Sequence, residues 1–287
     1  MTHAADGDSR RGLALVGLAV LFFSTTPVLI RWSAPLTGWE IAWGRLAVAT
    51  TAVWALATLR GERPRLALSD LPRLALFGLV TALHFWFYIS SLSYTTVAHS
   101  LTLTYTSPIF VAILSALLLG EKLAGRKYLG VLAAVLGVAV MAGFEPAFTS
   151  RMALGDLLAL GSAVCFGFYS VAGRSQRARY PLLTYAFGVY GMAALWLTPA
   201  VLLWPSGGWG APQTLSVLAL GVFPLALGHT LYNAALRYTH AAYVNLVATQ
   251  EVTGGVALSA LLLGEVPGMS TVLGILTTLG GIVLVLL

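Results

Sequence analysis

The chain has 287 residues, of which 58% are hydrophobic and 9% charged, with a net charge of +6; an average soluble domain carries roughly 25% charged residues. So little charge excludes a soluble globular core, and apolar runs of about 20 residues, enough to cross a hydrocarbon layer roughly 30 Å thick, recur along the chain. The basic residues sit in short gaps between these runs rather than along one polar face, which points to orientation in a membrane instead of nucleic-acid binding.

Breaks at Pro, Gly and charge divide the chain into ten predicted spanning helices, at 12–31, 37–59, 71–92, 95–119, 125–143, 153–174, 181–204, 214–236, 239–263 and 268–287. A short tail, 1–11, precedes them. It ends in Arg10 and Arg11, as a secretory signal would, but the run that follows is too long for a signal core and no clean small-x-small site ends it. That run is read as the first spanning helix. The single cysteine, Cys165, lies inside the sixth run, which excludes an intrachain disulfide or a CxxC site and makes it a small packing residue. With the N-terminus cytoplasmic, the inner segments hold 13 of the 16 basic residues. Both termini are therefore expected in the cytoplasm.

A repeat of about half the chain is the most informative feature. The segment LSALLLGE at Leu114 to Glu121 recurs unchanged at Leu258 to Glu265; Leu92 to Thr95 resembles Leu236 to Thr239; and the run ending in Arg31 aligns with the run ending in Arg174. Each copy holds five predicted spans, an odd number, so the second must enter the membrane from the opposite side. The expectation is an all-α integral membrane protein of two inverted five-helix repeats, 12–143 and 153–287, joined by a linker at 144–152, with its binding site at the repeat interface.

These patterns resemble the EamA group of the drug/metabolite transporter superfamily. The resemblance covers the whole chain and is carried by TSPIFVAILSALLLGEKLAGRKYLG in the fourth predicted span and TQEVTGGVALSALLLGEVPGMSTVLG in the ninth. The second copy departs from the family pattern, with Val252 where Pro is usual and Glu251 before it. Arg45, within Trp43-Gly44-Arg45, resembles the arginine early in the family's second helix. Within the group the chain is most similar to YddG-type exporters of amino acids. The resemblance implies a central cavity, lined mainly by spans 1, 3, 4, 6, 8 and 9 and open alternately to either side.

Polar side chains at membrane depth are costly and should face a cavity or a partner. Glu251, near the middle of the ninth predicted span, is read as a carboxylate that takes up a proton or binds a substrate ammonium, the alternative being a neutral group bonded to a neighbouring helix. In the third span His84, Phe87, Tyr88 and Ser91 share one helical face, suited to stacking on and hydrogen-bonding an amphiphilic zwitterion. His229, Tyr232 and Asn233 make a comparable face in the eighth, where Tyr232 is the repeat mate of Tyr88. His99 and Tyr105 in the fourth and Phe166 and Tyr169 in the sixth complete the candidate substrate-binding set, with simple helix packing as the plain alternative for the last two. Pro108 removes a backbone donor and is a candidate hinge. Arg45 is expected in a structural or gating role, paired with Glu40 or reaching the interface by snorkelling, and Trp32, Trp39 and Trp43 as an outer aromatic belt.

The sequence shows no HExxH, GxSxG or GxxxxGK[ST] pattern and no carboxylate cluster for a metal. No enzyme activity, metal or cofactor is expected. The reading is a secondary transporter in a bacterial inner membrane that exports small organic metabolites, aromatic or other amino acids among them, with possible proton coupling. The alternatives are a multidrug or toxic-metabolite exporter of the same fold, and an intramembrane lipid-modifying enzyme.

Overall fold

The computed structural model describes residues 2–142, 149–265 and 268–286; most of the expected linker, 144–148, lies outside them. The described residues form helices and no strands. Helix α1 (Thr2–Phe23) continues after a turn into α2 (Thr26–Trp32), followed by α3 (Gly38–Leu59), α4 (Leu71–Tyr94), α5 (Val97–Thr104), α6 (Ser107–Leu114) and α7 (Gly125–Ala142). The second half comprises α8 (Ser150–Ser175), α9 (Leu182–Leu203), α10 (Ala211–Leu220), α11 (Thr230–Tyr238), α12 (Ala241–Ala248), α13 (Glu251–Leu263) and α14 (Met269–Leu286). Wide π-helical turns, Ser115–Leu119 and Gly221–His229, extend α6 and join α10 to α11.

Seven stretches among the described residues are long and apolar enough to cross a membrane: Asp8–Trp32, Gly38–Leu59, Leu68–Tyr94, Ser150–Ser175, Leu182–Leu203, Ala211–Tyr238 and Ala241–Leu263. The other three spans expected from sequence fall on α5–α6, where the apolar helix Ser107–Leu119 is shorter, and on α7 and α14, each 18 residues long. Leucines such as Leu21, Leu157 and Leu202 face outward. In water such an apolar surface would drive association, whereas lipid tails are as apolar as the side chains themselves.

The repeat is visible in the backbone. Adding 144 to both ends of α3, α5 and α7 gives both ends of α9, α12 and α14. In each LSALLLGE segment the glycine before the closing Glu is in the left-handed region, Gly120 at φ 67° and Gly264 at φ 72°, the conformation that closes a helix without a Cβ penalty. Packing exchanges in the same way: α4 lies on α8 as α11 lies on α1, while α3 packs on its mate α9 and α7 on its mate α14. Gly281 of α14 meets the α7 backbone at Ala134, the close approach that small residues allow between apolar helices.

Local signals explain the starts of several helices. Thr37 caps α3, and the Glu40 side chain reaches back to the Thr37 backbone N–H at 2.8 Å, a capping box. Pro27, Pro108 and Pro212 stand in the first turn of α2, α6 and α10, where a missing N–H costs nothing.

Candidate functional site

Four interrupted helices meet at the centre of the bundle, each leaving a polar side chain there. α1 and α2 part at Ser24-Thr25, α5 and α6 at Tyr105-Thr106, α12 and α13 at Thr249-Gln250, and α10–α11 is widened by its π-helical stretch. Thr26 opens α2, Thr104 and Tyr105 stand at the end of α5, His229 ends the π-helical stretch, and Glu251 is the first residue of α13. Together with Arg45, His84, Phe85, Tyr88 and Phe166 they line one enclosed cavity of about 20 Å³, room for a single water molecule. Broken helices at membrane depth persist only where they face protein or a cavity. The second copy breaks at the same place as the first without a proline.

Glu251 is 5% exposed. Its Oε1 accepts a hydrogen bond from the Tyr88 hydroxyl at 3.4 Å and its Oε2 one from the Tyr105 hydroxyl. As the first residue of α13 it also faces the partial positive charge of a helix N-terminus. Arg45 is 1% exposed, with its guanidinium carbon 4.5 Å from the centre of the Phe85 ring. The expected pairing of Arg45 with Glu40 does not form. Glu40 already accepts from Thr37, from the Ser206 N–H and from the Trp209 indole, the last two at 3.1 Å. Arg45 therefore turns inward, adding the second predicted span to the six expected to line the cavity.

Among the described residues, four buried polar atoms of the cavity wall have no hydrogen-bond partner: Arg45 Nε and Nη1, Thr104 Oγ1 and His229 Nδ1. Buried polar groups are otherwise nearly always paired, so these four leave the cavity wall with hydrogen-bonding capacity unused.

Aromatic rings form the rest of the wall. His84 stacks on Phe166 at 4.8 Å between ring centres and 13° between planes. Its Nδ1 is held by the Ser162 carbonyl at 3.1 Å and hydroxyl at 2.8 Å. Because a carbonyl only accepts, Nδ1 is the donor in that contact. His229 sits among Phe23, Phe85 and Tyr169, at 4.6, 5.0 and 5.6 Å.

The other described candidates lie off the cavity. Tyr232 bonds to Ser170 at 2.6 Å and accepts from Asn245 at 3.3 Å, which in turn accepts from Ser107 at 3.1 Å. Asn233 donates to the Tyr169 hydroxyl at 2.6 Å. These two networks make a second polar layer behind the aromatic wall. Phe87 packs against Gly161 of α8 and beside Trp86, and the His99 side chain lies outside the described residues. Phe85, Thr26, Thr104 and Asn245 were not singled out in the sequence. Thr26 and Thr104 flank helix breaks, a signal a break-by-break reading would have found; Phe85 and Asn245 carried none. Of the three tryptophans expected in an outer belt, Trp39 stacks on Trp86 at 3.8 Å, Trp43 donates to Thr198 and Trp32 is half exposed.

The repeated arginine and glutamate form two ion pairs, each joining one half of the chain to the other. Arg174 binds Glu121 through Nε at 3.0 Å and Nη2 at 2.9 Å, with Arg177 and His240 beside it. Its mate Arg31 lies 3.5 Å from Glu265, a more exposed contact without a formed hydrogen bond. A larger cavity of about 570 Å³ runs between α4, α8 and α9 towards the Glu121 end, beside Leu76, Leu118 and Phe168. Its size favours it as a binding site, but its lining is almost wholly apolar and those three residues are exposed. Chemistry outweighs size here, and an acyl chain suits that groove better than a polar solute. No group of three or more metal-ligating side chains occurs among the described residues.

The chain is similar to the pseudopaline exporter CntI of Pseudomonas aeruginosa (strain UCBPP-PA14), 29% identical over 270 residues that cover 92% of each protein. It is 30% identical to the aromatic amino acid exporter YddG of Ancylobacter novellus over 157 residues, 54% of each. A crystal structure shares the fold with a TM-score of 0.78 at 20% identity, over 95% of both chains. The sequence pattern of one transporter family matches twice, at 10–143 and 153–287, in register with the two sets of helices whose boundaries repeat. The chain is therefore a membrane protein of the EamA-like transporter family, within the drug/metabolite transporter superfamily.

Proposed function

We propose that the protein is a secondary exporter of small organic metabolites, amino acids with aromatic or apolar side chains foremost, working by alternating access through the central cavity. The observation that carries this reading is the convergence of Glu251, Arg45 and several unpartnered polar atoms with an aromatic wall in one enclosed space where four interrupted helices meet. That combination suits a solute with a charged head and an apolar body. Relatives that export pseudopaline and aromatic amino acids support the class. An amino acid needs more room than about 20 Å³, so the described conformation is closed around the site. In this reading ten spans cross a bacterial inner membrane as repeats at 12–143 and 153–287, with both termini in the cytoplasm, and Arg174–Glu121 and Arg31–Glu265 lie at the cytoplasmic and outer ends.

Counterflow in proteoliposomes tests the proposal. Internal unlabelled amino acid should drive uptake of labelled phenylalanine or leucine, and a panel in which no amino acid exchanges sinks it. Glu251→Gln separates proton coupling from simple exchange: if Glu251 carries the coupled proton, the variant loses the pH dependence of flux and keeps counterflow. A multidrug role, favoured by the aromatic surroundings of His229, predicts that cationic dyes compete better than free amino acids.

A further inference from the structure

We infer that Arg45 is the carboxylate anchor of the central cavity, so that the cargo bears a free carboxylate and decarboxylated or amidated analogues are excluded. This inference deepens the export reading given above and rests on it. A guanidinium stays protonated in proteins, and burying it is costly unless a partner completes its hydrogen bonds. At 1% exposure Arg45 has an aromatic ring beneath it but no hydrogen-bond partner for Nε or Nη1 among the described residues. Phe85 takes the face of the cation, while the N–H groups of Nε and Nη1 lie in its plane and remain open to an acceptor.

The carboxylates within the fold are already used. Glu40 accepts four hydrogen bonds at the start of α3. Glu251 lines the same cavity and attracts Arg45 across it, but it is held by Tyr88 and Tyr105, and among the described residues no ion pair joins it to Arg45. The wall thus presents a cation with open donors and, apart from it, a carboxylate fixed by two phenols. An α-amino acid matches both: its carboxylate to Arg45, its ammonium to Glu251, and its side chain along His84, Phe166 and His229. Thr104, whose hydroxyl is unpartnered in the same wall, offers a further donor to the carboxylate.

Four probes of one shape resolve the roles: L-phenylalanine, 3-phenylpropanoate, L-phenylalaninamide and 2-phenylethylamine. Binding is read as thermal stabilisation of the purified full-length protein, and transport as counterflow. Phenylalanine and phenylpropanoate should bind the wild type, and the amide and the amine should bind at least about tenfold more weakly. Arg45→Gln should weaken both acids about 10- to 100-fold, the range of a lost hydrogen-bonded charge partner. Arg45→Lys, which keeps the charge, should lose less and guards against a variant that simply fails to fold. Equal binding of acid and amide, acid binding that survives Arg45→Gln, or no binding of any probe to the wild type overturns the inference. So does recovery of acid binding in Arg45→Gln/Glu251→Gln, which would mark Arg45 as the internal partner of Glu251. Arg45-dependent acid binding without phenylalanine counterflow instead overturns amino-acid export alone.

Discussion

Tyr105 illustrates how the centre is held together. Its hydroxyl donates to Glu251 while its ring edge meets Phe166 at 6.3 Å, so a single side chain ties the polar and aromatic parts of the wall. Tyr105→Phe removes a bond to an acidic group without changing shape and should cost about 1–3 kcal/mol in unfolding measurements in detergent. Tyr88→Phe should cost less, since its bond of 3.4 Å is near the limit. Just ahead of the Ala241–Leu263 stretch, His240 caps α12 by accepting from the Ala242 N–H and turns Nε2 to the Glu121 carbonyl. Burial holds its imidazole below the ordinary value of 6.5, outweighing the pull of nearby Glu121. The folded protein therefore binds this proton less readily than the unfolded chain, and the contribution, complete above 6.5, is lost as pH falls below it. The melting temperature should drop between about pH 7 and 5, and His240→Gln should flatten that drop relative to the wild type.

At the scale of the element, the two copies allow a comparison within one chain. Nothing lies within 4 Å of where a Cβ would stand on Gly120 or Gly264, and both occupy the left-handed region. Alanine at either should therefore cost about 1 kcal/mol through backbone strain alone, by similar amounts in the two copies, as denaturant titration of the single variants would show. Pro108 stands in the first turn of α6, directly after the interruption. Its repeat mate Val252 follows an equivalent interruption without a proline. A break that forms without proline in one copy should not depend on it in the other, and Pro108→Ala should retain more than half of wild-type counterflow; a collapse of flux would show that the proline acts as a hinge. The sequence signal here was a proline, but the physical cause acts in both halves.

Across the whole molecule, the Arg–Glu pairs explain why the repeat preserves both an arginine at the end of one run and a Gly-Glu at the end of another. The Glu121 end is the tighter of the two, with side chains of Arg174 and Glu121 at 13% and 21% exposure against 34% and 37% for Arg31 and Glu265. Exposed pairs contribute about 0–1 kcal/mol, and partly buried ones that share hydrogen bonds contribute more. Glu121→Gln should therefore lower the melting temperature more than Glu265→Gln. It should also raise cysteine-reagent access from the Glu121 end, whereas equal effects would show that the two ends are not differently sealed. Hydrophobic length, charge placement and the exact recurrence of LSALLLGE were enough to determine a helical membrane protein of two related halves, because each is a local property that survives any packing. The direction of Arg45 was not local. A nearby Glu40 invites a pair in sequence, but Ser206 and Trp209, more than 160 residues away, occupy that carboxylate. Likewise Glu251 was legible as a buried acid, while its two phenol donors and its place in one cavity wall with Arg45 came only from bringing α3, α4, α5 and α13 together. Tertiary packing decided these contacts because each polar group inside a membrane takes whichever partner the fold brings within reach.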